Sequence, residues 1–229
     1  MLPCACRALI PCWAGKSRAI GAPAHRTRRI GLASQNVTSA EPAQFRTAVA
    51  AMNAASVRPE IELGPIRPPQ RLAPYSYALG AEVRHPETDV VPERSEGDAF
   101  GRLILLHDPE GAEAWDGTMR LVAYIQADLD STEAVDPLLP EVAWSWLVDA
   151  LEPQGEGVTA LGGTVTATTS VRYGDISGPP RAHQLELRAS WTATSLELGP
   201  HVQAFCEVLE HAAGLPPAGV TDLASRTRA

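Results

Sequence analysis

The sequence predicts a single α+β domain in which a five-stranded antiparallel sheet carries helices on one face, in the order α-β-β-β-α-β-β-α. Five segments alternate apolar and polar residues, which is typical of antiparallel strands with one buried face. Three segments repeat apolar residues three or four positions apart, which is typical of amphipathic helices. No βαβαβ rhythm and no glycine-rich turn from strand to helix occurs, so doubly wound nucleotide-binding folds are excluded.

The first helix is predicted over residues 42–56, where Phe45, Val49 and Met52 share one face. The next segment, residues 58–70, contains four prolines. Because proline cannot donate to a strand ladder, this segment is expected to be extended and to hold at most a short edge strand.

The remaining elements follow the same two patterns. The second helix is predicted over residues 138–152, where two rows of apolar residues form a broad stripe. The third is predicted over residues 200–213, ended by Gly214 in the left-handed conformation. The strand at 100–107 is apolar on both sides, so we expect it to be central in the sheet. The five strands are predicted over residues 75–84, 100–107, 118–129, 158–173 and 185–193.

Charge divides the chain into a leader and a domain. Residues 1–40 carry six of the 19 basic residues and no acidic residue, and we expect a disordered basic leader there. Residues 41–217 form the predicted domain, and residues 218–229 a loose tail. The 27 acidic residues all follow the leader and would repel phosphate backbones, which argues against nucleic-acid binding. No apolar run approaches the ~20 residues that span a bilayer, so no membrane association is predicted.

The four cysteines are distributed unevenly. Cys4, Cys6 and Cys12 lie in the leader, where a fourth metal ligand is missing, so neither a metal nor a cofactor is predicted. Cys206 is alone in the domain and cannot form a disulfide within it, which is typical of a reducing compartment and predicts a cytoplasmic protein. Its place on an apolar helix face predicts a core residue rather than a nucleophile.

The segment from His107 to Thr118 combines an imidazole with four carboxylates, and the candidate catalytic residues are His107, Asp108, Glu113 and Asp116. Such a set could perform acid–base chemistry or bind a hard cation. However, residues 108–111 and 116–117 are favoured in tight turns, and the spacing matches no EF-hand loop. A turn between two strands is therefore favoured, and a functional site at 107–116 is the alternative.

Trp144 and Val148 lie one helical turn apart, outside the apolar stripe that contains Trp146. Trp144 is about 160° around the helix from Trp146, so we expect one of them to face away from the sheet. A loop could cover Trp144, or Trp144 and Val148 could form an interface. The polar sheet face is expected to be solvated, with a groove or a dimer surface as the alternative. Its residues are Thr164, Thr166, Thr168, Arg172, Arg120, Gln126, Glu186 and Arg188.

Several stretches of the chain resemble an actinobacterial family described as a domain of unknown function, number three thousand. These stretches are residues 58–74, 105–111, 114–118, 136–139, 144–147, 162–165, 188–191 and 213–217. The resemblance spans about residues 43–217, implies a soluble cytoplasmic bacterial protein, and brings no activity or catalytic residue with it. The element order is also similar to that of type III secretion chaperones and related small dimeric adaptors, a likeness without a shared motif.

These observations favour a non-enzymatic binding or adaptor module whose partner is another protein or a second copy of the chain. The alternative is an enzyme or metal-dependent protein that uses the segment 107–116.

Overall fold

A computed structural model describes residues 41–83, 99–175 and 181–217. The predicted leader and tail lie outside these ranges, as do residues 84–98 and 176–180. The described residues form three α-helices and six strands. The helices are α1 (Ala43–Asn53), α2 (Leu139–Leu151) and α3 (Gly199–Ala212). The strands are β1 (Ile61–Pro65), β2 (Tyr75–Val83), β3 (Ala99–Ala112), β4 (Gly117–Asp128), β5 (Val158–Val171) and β6 (Arg181–Ala193).

The strands form one sheet in the order β1-β2-β3-β4-β6-β5, and every neighbouring pair is antiparallel. The predicted α+β class and antiparallel sheet are confirmed. The predicted five strands and element order are wrong, because β1 adds a sixth strand ahead of β2. This strand lies in the proline-rich segment, where five residues are too few to show a clear alternation.

The core lies between one face of the sheet and the helices. Helix α3 packs on β2, β3 and β4, while α1 and α2 pack against α3, and α2 also packs on β5. The buried ring of Phe205 lies directly on Gly101 of β3, where an added Cβ would come 2.6 Å from Phe205 Cζ. Helix α3 can therefore approach the sheet closely because residue 101 has no side chain.

The predicted end of the last helix is confirmed in detail. Gly214 has a φ of +63°, in the left-handed region that glycine adopts without strain. The Leu215 amide donates to the Glu210 carbonyl and the Gly214 amide to the His211 carbonyl, both at 3.0 Å. This pair of bonds is the Schellman motif, which satisfies the last carbonyls of the helix.

A buried histidine joins α3 to the sheet. His201, in the first turn of α3, is 1% exposed, and Trp191 of β6 donates from Nε1 to its Nδ1 at 3.3 Å. Burial lowers the pKa of His201 to about 4. The imidazole is therefore neutral near pH 7, and its Nδ1 accepts the hydrogen bond from Trp191.

The outer face of the sheet, opposite the helices, is covered at one side by the segment that follows β1. The Ile66 amide donates to the Ala78 carbonyl at 3.0 Å, and Ser76 Oγ donates to the Pro69 carbonyl at 3.3 Å. Ala78 and Leu106 point to this face and are nevertheless buried. The polar outer face is thus restricted mainly to β4, β6 and β5.

The contact between Phe205 and Gly101 makes a clear mutational prediction. Gly101→Ala should lower the free energy of unfolding by about 1–3 kcal/mol, because the new methyl group overpacks the core against Phe205. The matched control is Gly64→Ala in β1, where an added Cβ meets no atom within 4 Å. Urea unfolding of both variants measures the difference. A Gly101→Ala variant as stable as Gly64→Ala would contradict the close packing of α3 on the sheet.

Candidate functional site

His107 belongs to the core rather than to a cluster of carboxylates. Its side chain is fully buried, and its ring stacks on Phe45 of α1 at a centroid distance of 6.0 Å and lies 5.9 Å from Tyr75. Nδ1–H donates to the Thr118 carbonyl at 3.0 Å, and Nε2 has no hydrogen-bond partner within the described ranges. The imidazole therefore packs between α1 and the sheet.

The candidate carboxylates have roles in the hairpin that joins β3 and β4. Asp108 Oδ1 accepts from the Glu110 amide at 3.1 Å, which is a local turn contact. Glu113 begins a short 3₁₀ helix, and the exposed Asp116 ends it in the left-handed conformation, with φ 55° and ψ 41°. Across the described residues, no group of three or more His, Cys, Asp and Glu could hold a metal ion. The structure does not bring His107 together with these carboxylates.

The open part of the outer face carries a network of cross-strand contacts. Arg120 donates to Ser190 Oγ at 2.6 Å and to the Ala160 carbonyl at 2.9 Å. Tyr124 donates to Glu186 at 2.9 Å, and Glu186 pairs with Arg188 at 2.8 Å. Burial raises the pKa of Tyr124, and its hydrogen bond to Glu186 adds to that shift. These groups satisfy one another, which is typical of a solvated face rather than a ligand groove.

The two tryptophans of α2 lie on the two margins of its buried stripe. Trp144 faces β5, where a Cβ on Gly163 would come 2.8 Å from Trp144 Cζ3. Trp146 faces α3 and stacks on His211 at a centroid distance of 5.5 Å. Both are half-buried, Trp144 against the sheet and Trp146 against α3, so neither ring projects freely into solvent. Two residues about 160° apart can each lie roughly 80° from the middle of one buried stripe.

Val148 extends the Trp144 side of α2 toward solvent. It lies one turn after Trp144 and is 40% exposed. Below it, β5 is an edge strand of the sheet and is exposed along most of its length. We call Trp144, Val148 and the free edge of β5 the edge surface.

Exposed apolar side chains are frequent in and beside α2 and at the end of β5. Within the described ranges, six of the eight large exposed hydrophobic residues lie on α2, just before it, or at the end of β5. These six are Val135, Leu138, Val142, Val148, Val171 and Tyr173, and the other two are Ile66 and Leu72. The sequence pattern indicated Val148 but could not show that β5 is an edge strand, since strand order depends on pairing across the chain.

A cleft of about 490 Å³ lies elsewhere, between α3 and the chain segments at residues 56–58 and 215–217. Arg58 crosses it and pairs with Glu60 at 2.9 Å and with Glu210 at 3.1 Å. Cys206 also lines it, and burial together with the charge of Glu210 raises the pKa of the thiol to about 12. The thiol is therefore protonated at neutral pH, as expected of a core residue rather than a nucleophile.

Comparison with known proteins identifies one family. Residues 41–221 match the model of a family described as "Protein of unknown function (DUF3000)", which confirms the resemblance seen in the sequence. No curated protein and no solved structure matches the chain. None of the helices in the described ranges is both long and apolar enough to cross a membrane.

The left-handed conformation of Asp116 allows a test of whether this residue acts in a turn or in a catalytic site. Asp116→Asn should change the free energy of unfolding by less than ~0.5 kcal/mol, because both residues tolerate the left-handed region. Asp116→Val should lower it by about 1–2 kcal/mol, because a β-branched residue is strained there. Both variants can be compared by urea unfolding. An Asn variant less stable than the Val variant would show that the carboxylate has a role beyond the turn.

The positions of the tryptophans predict similar stability effects. Trp144→Ala and Trp146→Ala should each lower the free energy of unfolding by about 2 kcal/mol, since each ring is half-buried against the core. Thermal melts of the full chain measure both. A large loss for Trp146→Ala with no loss for Trp144→Ala would mean that Trp144 contributes nothing to packing on β5.

Proposed function

We propose that this chain, which belongs to the DUF3000 family, is a non-enzymatic binding or adaptor module that engages a protein partner through the edge surface. One observation carries the proposal. Of the eight large exposed apolar side chains of the described residues, six lie on α2, just before it, or at the end of β5, and Val148 is beside Trp144. Concentrated exposed apolar area marks interaction sites more often than solvated surface.

Trp144 has the chemistry expected at the centre of such a surface. Its ring is anchored on Gly163 and half-exposed, so it offers a rigid apolar edge to a partner. Tryptophan is enriched among the residues that dominate binding energy, and Val148 beside it widens the apolar contact. A protein partner that covers both side chains would remove them from water without moving α2.

The alternative of an enzyme at residues 107–116 receives less support from the geometry. His107 is buried among aromatic rings, while Glu113 and Asp116 are exposed in a turn. A general base must reach a substrate proton, and a fully buried imidazole has no such access in this conformation. The binding proposal therefore requires no rearrangement of the fold, whereas an enzymatic role for His107 would require one.

The class of partner follows from charge and redox chemistry. An acidic domain favours a protein partner, or a second copy of the chain, over nucleic acid. Cys206, the cysteine within the described ranges, is buried and free. A domain without a disulfide suits a reducing environment, so we place the protein in the cytoplasm.

Site-specific photo-crosslinking in the native host tests this proposal. A benzoylphenylalanine at position 148 should give discrete protein adducts, because its side chain projects from the edge surface. The matched control carries the same probe at Thr47, an exposed position on α1. Adducts that appear at 148 and are absent at 47 support the proposal. No adducts at 148, or the same adducts at both positions, would reject it.

A further inference from the structure

We infer that the partner on the edge surface is a second copy of this chain, joined by antiparallel pairing of its β5 with the β5 of the first copy. A two-fold axis would then relate the copies, and the two sheets would continue into each other. This inference rests on the proposed function and identifies the partner of the same surface.

The free edge of β5 carries backbone amides and carbonyls that point away from β6. One hydrogen bond between β6 and the end of β4 identifies which residues carry them. The Leu129 amide, just past the end of β4, donates to the His183 carbonyl at 3.0 Å. In a strand, residues that share a face direct their amide and carbonyl groups to the same side. His183 and the other core-facing residues of β6 therefore bond to β4, and the outward-facing residues of β6 bond to β5.

The register then identifies the free groups of β5. Thr164 pairs with Arg188 and Thr166 with Glu186, and these outward-facing residues of β5 bond to β6. The alternate, core-facing residues Val165, Ala167 and Thr169 consequently direct their amides and carbonyls to the free edge. Among the described strands, none pairs with that edge.

The side chains of β5 suit pairing with an identical strand. Any two-fold pairing brings equivalent residues near each other, so a charged strand would face its own charges. The 14 residues from Val158 to Val171 include no charged residue and no proline. Five of the last eight are Thr or Ser, which form favourable cross-strand pairs with one another. Long uncharged edges of this kind are avoided in proteins that stay monomeric.

The opposite edge of the sheet is protected, which limits the assembly to two copies. Strand β1 has five residues, ends at Pro65, and is preceded by Pro59. Short strands and prolines are common devices that prevent pairing at an edge. With one pairing edge in each copy, a two-fold contact closes and no filament can grow.

Helix α2 adds side-chain contacts to the strand pairing. Because α2 packs on β5, a second copy paired at that strand places its own α2 beside the first. Trp144 and Val148 lie on the side of α2 that faces this neighbour. Specific interfaces commonly bury ~1,600 Å² in total, more than one strand pair provides, so the helices are needed as well as the strands.

Proline at two adjacent positions of β5 tests the inference on the full chain. Ala167→Pro removes an edge-directed amide and places the proline ring at the free edge, so the variant should sediment as a monomer with little change in Tm. Thr166→Pro removes an amide that bonds to β6, and it should lower the Tm. The wild type should sediment as a dimer at tens of micromolar. Salt should strengthen this dimer, because the net charge of −8 repels the second copy.

Amide hydrogen exchange of the wild type completes the test. Val165 and Thr169 should exchange slowly in the dimer and much faster after dilution to monomer, or in Ala167→Pro. A dimer that survives Ala167→Pro would overturn the inference. So would a wild-type monomer, whether its β5 amides exchange fast or are protected by another part of the same chain. If position 148 crosslinks to a different protein while the chain is monomeric, the binding proposal stands and the dimer does not.

Discussion

The close contact between the Phe205 ring and Gly101 is the constraint on which the helical layer depends. It sets the distance of α3 from the middle of the sheet, and α1 and α2 both pack against α3. A longer side chain at position 101 would lift α3 and loosen both neighbours. The position of α2, and with it that of Trp144 above β5, therefore follows from one glycine three strands away.

The two halves of the sheet differ in how they meet solvent. On the side of β1 and β2, the proline-rich segment crosses the outer face and buries Ala78. On the side of β6 and β5, polar side chains pair with one another and the last strand is exposed along its edge. The protein thus protects one side of its sheet with its own chain and leaves the other side, next to α2, open for contact.

Most of the fold could be predicted from the sequence, because eight of the nine α-helices and strands in the described ranges carry an apolar pattern with a period of two or of 3.6 residues. The short β1 was expected only as the most that the proline-rich segment could hold, since its prolines hide the alternation. The order of strands is a non-local property that no local pattern contains. The role of His107 was missed for a related reason. Its neighbours in the chain are acidic, whereas its neighbours in space, Phe45 and Tyr75, are distant in sequence. The edge surface was predicted in part, through Trp144 and Val148, because helical spacing is local.

The burial of His201 links unfolding to the uptake of a proton. The folded pKa of about 4 lies below the ordinary value of 6.5, so between these two pH values the unfolded chain binds a proton that the folded domain excludes. Stability is therefore retained in full above about pH 6.5 and declines as the pH falls toward 4, by roughly 3 kcal/mol at 1.36 kcal/mol per pKa unit. Acid therefore destabilises the packing of α3 on the sheet by favouring protonation of His201, a side chain that solvent barely reaches.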